Sequence, residues 1–134
     1  MKILALDVGD KWTGTAISDA LGMFARPYKT VETKALRLFL SEIMETEHIG
    51  TVVVGYPVTM RGTESDQTKK VKDLKQKLEA EFDTVEWVLW DERLSSKRAA
   101  GVRKAKNKEE KITSHSIAAA FILDSYLTYL QGKK

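Results

Sequence analysis

The chain has 134 residues, 43% of them hydrophobic and 31% charged, a size and balance that suit one soluble domain burying a core without staples. It contains no cysteine, which excludes a disulfide framework, Cys-based zinc sites and a thiol nucleophile, and fits a reducing cytoplasm. A net charge of +3 is too small to name a partner, and no apolar run approaches a membrane span or a signal-peptide core.

Residues 3–8 (Ile-Leu-Ala-Leu-Asp-Val) and 12–18 read as two strands joined by a turn at Gly9-Asp10-Lys11, because apolar and β-branched content is high and the punctuation is right. Asp7 is out of place in that apolar run. A buried carboxylate is costly unless paired or metal-bound, so it is a candidate functional residue, with a turn cap as the alternative. A third strand spans Met23 to Val31, where Pro27 argues for an edge position. Leu36, Phe39, Leu40, Ile43 and Met44 then repeat at helical spacing over 34–47, with the helix ending before Gly50.

Thr51-Val52-Val53-Val54, closed by Gly55-Tyr56-Pro57, has the pattern of a strand buried on both faces and paired in parallel. A surface helix with sparse apolar positions is expected from Glu64 to Phe82, and a fifth strand over Val85–Trp90, ending at Asp91-Glu92-Arg93. A short helix within Ser95–Lys104 and a basic loop follow. The last helix is expected to start at Thr113 or Ser114 as N-cap and to run through Ile117, Phe121, Ile122, Leu127 and Leu130. Arg93–Lys111 holds eight basic residues (Arg93, Lys97, Arg98, Arg103, Lys104, Lys106, Lys108, Lys111) against two acids, which reads either as a polyanion-binding patch or as a solvated loop.

The order β-β-β-α-β-α-β-α predicts an α/β fold with a five-stranded mixed sheet covered by helices. Such sheets place ligands outside the carboxyl ends of their parallel strands, where Asp7, Gly55-Tyr56-Pro57 and Asp91-Glu92-Arg93 converge. Carboxylates from different strands suit hard divalent cations. With the basic patch, they point to metal-assisted phosphodiester hydrolysis, for which two ions about 3.5–4 Å apart are the usual arrangement. Arg93 suits a phosphate oxygen or an ion pair with Glu92. Thr63, Ser95 and Ser96 either bind phosphates or cap helices. Tyr56, expected to be exposed, is the better base-stacking candidate, with Trp87 and Trp90 assigned to packing. Asp10 and Asp19 are either outer ligands or caps.

Leu6-Asp7-Val8-Gly9 with Gly14-Thr15-Ala16-Ile17-Ser18-Asp19, Val54-Gly55-Tyr56-Pro57 with Gly62-Thr63-Glu64, Asp91-Glu92-Arg93-Leu94-Ser95-Ser96 and Ser116-Ile117-Ala118-Ala119 together resemble the YqgF/RuvX family. These are small bacterial proteins described as Holliday junction resolvases and as nucleases that process the 5′ end of the small-subunit ribosomal RNA precursor. The resemblance implies a ribonuclease H-like fold and a cytoplasmic nuclease using Mg²⁺ or Mn²⁺. Its substrate would be structured nucleic acid, either precursor rRNA in ribosomal precursor particles or branched DNA, and it would be a monomer or weak homodimer. It also implies a metal-binding triad, in which the first two positions are Asp7 and Glu92. The third departs: His115 stands where the family has Asp. Asp124 lies nine residues on, about half a turn away, and cannot replace it, whereas His115 shares a face with Ala119, Ile122 and Tyr126. Imidazole favours transition metals over magnesium, so His115 is expected either to alter the metal preference or to mark a protein that only binds RNA. Arg93, Lys97, Arg98, Arg103 and Lys104 would hold the nucleic-acid backbone.

Overall fold

A computed structural model of the chain describes residues 1–57, 65–92 and 108–132. The strands are β1 (Lys2–Val8), β2 (Trp12–Ser18), β3 (Ala25–Glu32), β4 (Ile49–Tyr56) and β5 (Glu86–Asp91). The helices are α1 (Leu36–Thr46), α2 (Asp66–Glu81) and α3 (Lys108–Gly132), with a 3₁₀ turn at Thr33–Ala35. The sheet order is β3-β2-β1-β4-β5. β1, β2 and β3 form an antiparallel meander, while β4 and β5 run parallel to β1, as the order of periods along the chain predicts.

Alternation along the strands divides the apolar residues between two faces. Leu4, Leu6, Ile17, Val52 and Val54 pack with Leu36, Leu40, Val71 and Leu78 of α1 and α2. Ala5, Ala16 and Val53 pack with Ala119, Ile122, Leu123, Tyr126 and Leu127 of α3. Small residues on this second face let α3 lie close to the sheet, and its contact face is the one on which His115 was placed.

β3 is an edge strand, where a Pro without an N–H is tolerated, and its pairing with β2 slips between Gly14 and Ala16. Thr15 fills the gap: its hydroxyl donates to the Lys29 carbonyl at 2.6 Å and accepts from the Lys29 amide at 3.0 Å. The strand starts at Ala25 rather than Met23, because Asp19 Oδ1 takes the amides of Met23 (2.7 Å) and Phe24 (3.2 Å) into a turn completed by Gly22 at φ 69°.

β4 extends beyond the expected 51–54 at both ends. The break placed at Gly50 is made by His48, at φ 54°, and Ile49 already pairs with Lys2. The cap of α2 is Ser65, whose Oγ accepts from the Thr68 amide while the Thr68 side chain accepts from the Ser65 amide. α3 begins at Lys108 rather than at Thr113 or Ser114: the Lys-Glu-Glu-Lys run has good helix propensity, and Ser and Thr are tolerated within a helix once flanked by such residues. Lys108 and Lys111 of the basic stretch therefore belong to a helix, not to a loop. The short helix expected within 95–104 lies outside the described residues.

Candidate active site

The carboxyl ends of β1, β4 and β5 form one edge of the sheet. Asp7 lies two residues beyond Ala5 and so faces α3. Its partner across the ladder is Gly14 on β2, and at Gly14 the backbone of α3 crosses the sheet. A Cβ there would collide with the His115 carbonyl and stand 2.7 Å from the Ser116 amide nitrogen. Only glycine leaves room for that crossing.

Glu92 follows β5 and reaches back over β4, where a Cβ at Gly55 would sit 2.8 Å from Glu92 Oε1 and 2.6 Å from Ile122 Cδ1. There Glu92 and Asp7 are joined by a side-chain hydrogen bond. Two carboxyl groups so placed need a shared proton. Burial foremost, then the charge of Asp7, pushes Glu92 up to about 8. Burial also raises Asp7, against the opposing effects of the Glu92 hydrogen bond and the charge of His115. The pair titrates as a unit. This donor chemistry fits a divalent ion with oxygen ligands.

His115 approaches from the other side of Asp7. Its ring lies by the β1–β2 turn, with Cε1 3.9 Å from the position of a Cβ on Gly9. Among the described residues, no three His, Asp or Glu side chains gather as one ligand set.

The turn after Asp7 is held by Thr33, whose hydroxyl donates to the Gly9 carbonyl (2.7 Å) and whose amide donates to the Lys11 carbonyl (2.8 Å). The Thr13 hydroxyl lies 2.9 Å from that of Thr33. No local pattern marks Thr33, since its partners are twenty or more residues away in sequence.

Tyr56 is not the exposed platform expected from its place beside a turn. It is half-buried on the α2 side, with Lys72 Nζ 5.0 Å from its ring centroid. Lys70, 3.6 Å from Asp10, and Gln67, which donates to the Val8 carbonyl at 3.4 Å, tie α2 to the same turn. The signal for these was the Lys69-Lys70-Val71-Lys72 run, which reads as an ordinary solvated face. Asp19 caps the turn at the far end of β2, away from the Asp7 edge. Trp87 is core, its Nε1 donating to the Phe82 carbonyl at 2.9 Å. Trp90 donates to Ser125 Oγ at 3.1 Å and meets Tyr126 edge-on at 5.3 Å. Thr63, Arg93, Ser95, Ser96, Lys97, Arg98, Arg103 and Lys104 lie outside the described residues. No described helix is long and apolar enough to cross a membrane.

A family model described as "RuvX: Holliday junction resolvase" matches residues 1–129. A protein of Rubrobacter xylanophilus named "Putative pre-16S rRNA nuclease" is 38% identical over 127 residues, covering 94% of this chain and 91% of that one. One of the same name from Carboxydothermus hydrogenoformans is 37% identical, covering 96% and 97%. Among solved structures, Thermus thermophilus RuvC in complex with Holliday junction substrate superposes with a TM-score of 0.62 at 17% identity, covering 98% of this chain and 96% of that one. That likeness is one of fold.

Proposed function

Because the chain belongs to the RuvX family, we propose that it is a divalent-cation-dependent nuclease that cleaves phosphodiester bonds in structured nucleic acid. Its first substrate would be the 5′ region of pre-16S ribosomal RNA, the substrate named for its relatives. The observation that carries this reading is the Asp7–Glu92 carboxyl pair, half-buried and hydrogen-bonded at the carboxyl edge of the parallel strands.

Asp7 and Glu92 would hold the cation, Mg²⁺ or Mn²⁺, with His115 beside them. When bound, the ion supplies Lewis-acid activation of water and stabilises the charge that develops on phosphate. The chain's own contribution is orientation and proton handling. Gly14 and Gly55 let α3 and Glu92 close over Asp7, Thr33 holds the turn behind it, and the carboxyl pair would hold the cation in place of its shared proton. Arg93, Lys97, Arg98, Arg103 and Lys104 would hold the backbone by charge, with Thr63 and Ser95 as hydroxyl donors. The work would be done in the cytoplasm on ribosomal precursor particles.

The second reading is Holliday junction resolution, favoured by the description of the family model. Symmetric junction cleavage needs two active sites, so it requires a homodimer. The test is metal-dependent cleavage of precursor rRNA beside a four-way DNA junction by wild type, Asp7→Asn and Glu92→Gln, with mass measured in solution. Loss of a group that merely orients a metal ligand costs about 10–100-fold, so loss of a ligand should cost at least that. Undiminished cleavage by Asp7→Asn would overturn the assignment. Junction cleavage by a dimer, with precursor rRNA left intact, would establish the second reading.

A further inference from the structure

We propose that Trp12 and Lys11 form a stacking site for one unpaired nucleotide beside Asp7, the indole taking the base and the ammonium its phosphate. This rests on the reading of Asp7 and Glu92 as a nuclease centre and deepens it, naming an unpaired nucleotide as what is held next to the bond that is cut.

Register sets where the Trp12 ring lies. Asp7 pairs with Gly14, and Val8 with Thr13. Val8 packs with the α1 and α2 cluster, so Thr13 lies on that face and Trp12, by alternation, on the α3 face with Asp7 and Gly14. Trp12 is therefore the diagonal neighbour of Asp7 across the ladder, a separation of about 7–8 Å that aromatic side chains span. The Gly9 amide donates to the Trp12 carbonyl at 3.0 Å, and the His115 ring lies by Gly9. The other two tryptophans serve packing: Trp87 is buried in one apolar cluster and Trp90 packs against the other, whereas among the described residues half-buried Trp12 joins neither.

The site is ordered before anything binds. Beside the Gly9–Trp12 bond, the Lys11 carbonyl takes the Thr33 amide at 2.8 Å and the Thr33 hydroxyl donates to the Gly9 carbonyl at 2.7 Å. A platform fixed in this way gives up little freedom on binding. Lys11 Nζ stands 5.9 Å from the Trp12 ring centroid. Basic groups that follow the backbone and aromatic faces that take the bases are how proteins hold single strands. Glu32, opposite Trp12 on β3, has its charge met by Lys34 at 3.3 Å. A base can lie on the indole only after leaving the helical stack, so a duplex offers Lys11 its phosphates but offers Trp12 no base face.

The three indole N–H signals in ¹⁵N–¹H spectra of the full chain test this, with Trp12 identified by its loss in Trp12→Phe. In EDTA, where nothing is cleaved, a short single-stranded oligoribonucleotide is expected to shift the Trp12 signal and leave Trp87 and Trp90 in place. The same strand paired to its complement should leave all three unmoved. Affinity for the labelled single strand, read by fluorescence anisotropy, should fall about 5- to 150-fold in Trp12→Leu, the range of a lost base–aromatic stack, while Trp12→Phe keeps most of it. A single strand that fails to bind or binds without moving Trp12, a duplex that moves it equally, or Trp12→Leu binding as tightly as wild type would overturn the proposal. If that happens while Asp7→Asn abolishes Mg²⁺-dependent cleavage, only this inference falls. If Asp7→Asn cleaves as wild type does, the nuclease site itself is misplaced.

Discussion

His48 is the one described residue other than glycine with a positive φ, at 54°. In that left-handed region a Cβ crowds the following carbonyl at roughly 1–2 kcal/mol, and glycine is the usual occupant after a helix. His48→Gly relieves the crowding but adds freedom to the unfolded chain, a loss of about 0.5–1 kcal/mol. The net expectation is a gain of about 0.5–1 kcal/mol, read as a higher urea midpoint at unchanged m. A lower midpoint would mean that the imidazole makes an interaction worth more than the backbone strain. Glu92 is a different kind of liability, a half-buried carboxyl beside another. Glu92→Gln removes the like charge and keeps the shape. Above pH 8 it should stabilise the metal-free protein by about 1–3 kcal/mol, the scale set by 1.36 kcal/mol per pKa unit. It should also remove most of the increase in melting temperature that Mg²⁺ gives wild type. A purely structural role for Glu92 predicts destabilisation with the Mg²⁺ response intact.

At the scale of elements, the decisive contact is α3 on β2. Gly14→Ala drives a methyl group into the backbone of His115 and Ser116, and neither side can yield by a rotamer change. The helix must lift, at about 3 kcal/mol, the upper end of usual overpacking costs, and the His115 backbone must move with it. Urea unfolding gives the cost. A midpoint equal to that of wild type would show that α3 does not press on β2 at this position. Thr33→Val removes the hydroxyl bonds to Gly9 and Thr13 while preserving shape. It should cost about 1–2 kcal/mol, with Thr33→Ser restoring most of it. The elements themselves were readable wherever periodicity was strong. Leu36, Phe39, Leu40 and Ile43 marked α1, and Val52–Val54 marked a doubly buried strand. Boundaries failed where side chains redirect the backbone over a few residues: Asp19 capping the amides before β3, His48 breaking α1 without glycine, and a charged Lys-Glu-Glu-Lys run starting α3 ahead of its apolar stripe.

At the scale of the whole molecule, the meeting of Asp7 and Glu92, 85 positions apart, was legible because parallel order brings strand ends to one edge. Their hydrogen bond was not legible, since it depends on how deeply the edge is buried and on the lane left open by Gly55. That burial sets a pH dependence for the entire fold. Below about 4.5, the ordinary value for Glu92, its carboxyl is protonated in both folded and unfolded chains and its burial carries no ionisation cost. Between there and about 8 the unfolded chain has released the proton and the folded chain still holds it, so stability falls as pH rises. Above 8 both are ionised and this decline stops. Asp7, also raised by burial, acts in the same direction. Two half-buried carboxyls act oppositely and only in acid: Asp19, held low by the amides of Phe24 and Met23, and Glu47, held low by its hydrogen bond to Lys2. Their contributions are present above their ordinary values near 4 and are lost as pH falls below them. The metal-free protein should therefore be most stable near pH 5 and lose melting temperature steadily toward pH 8. A saturating divalent cation, which replaces the shared proton, should flatten that decline, with its stabilisation growing as pH rises. Melting curves from pH 4 to 9 with and without Mg²⁺ measure both slopes. Parallel curves would mean that the ion binds somewhere other than the Asp7–Glu92 pair.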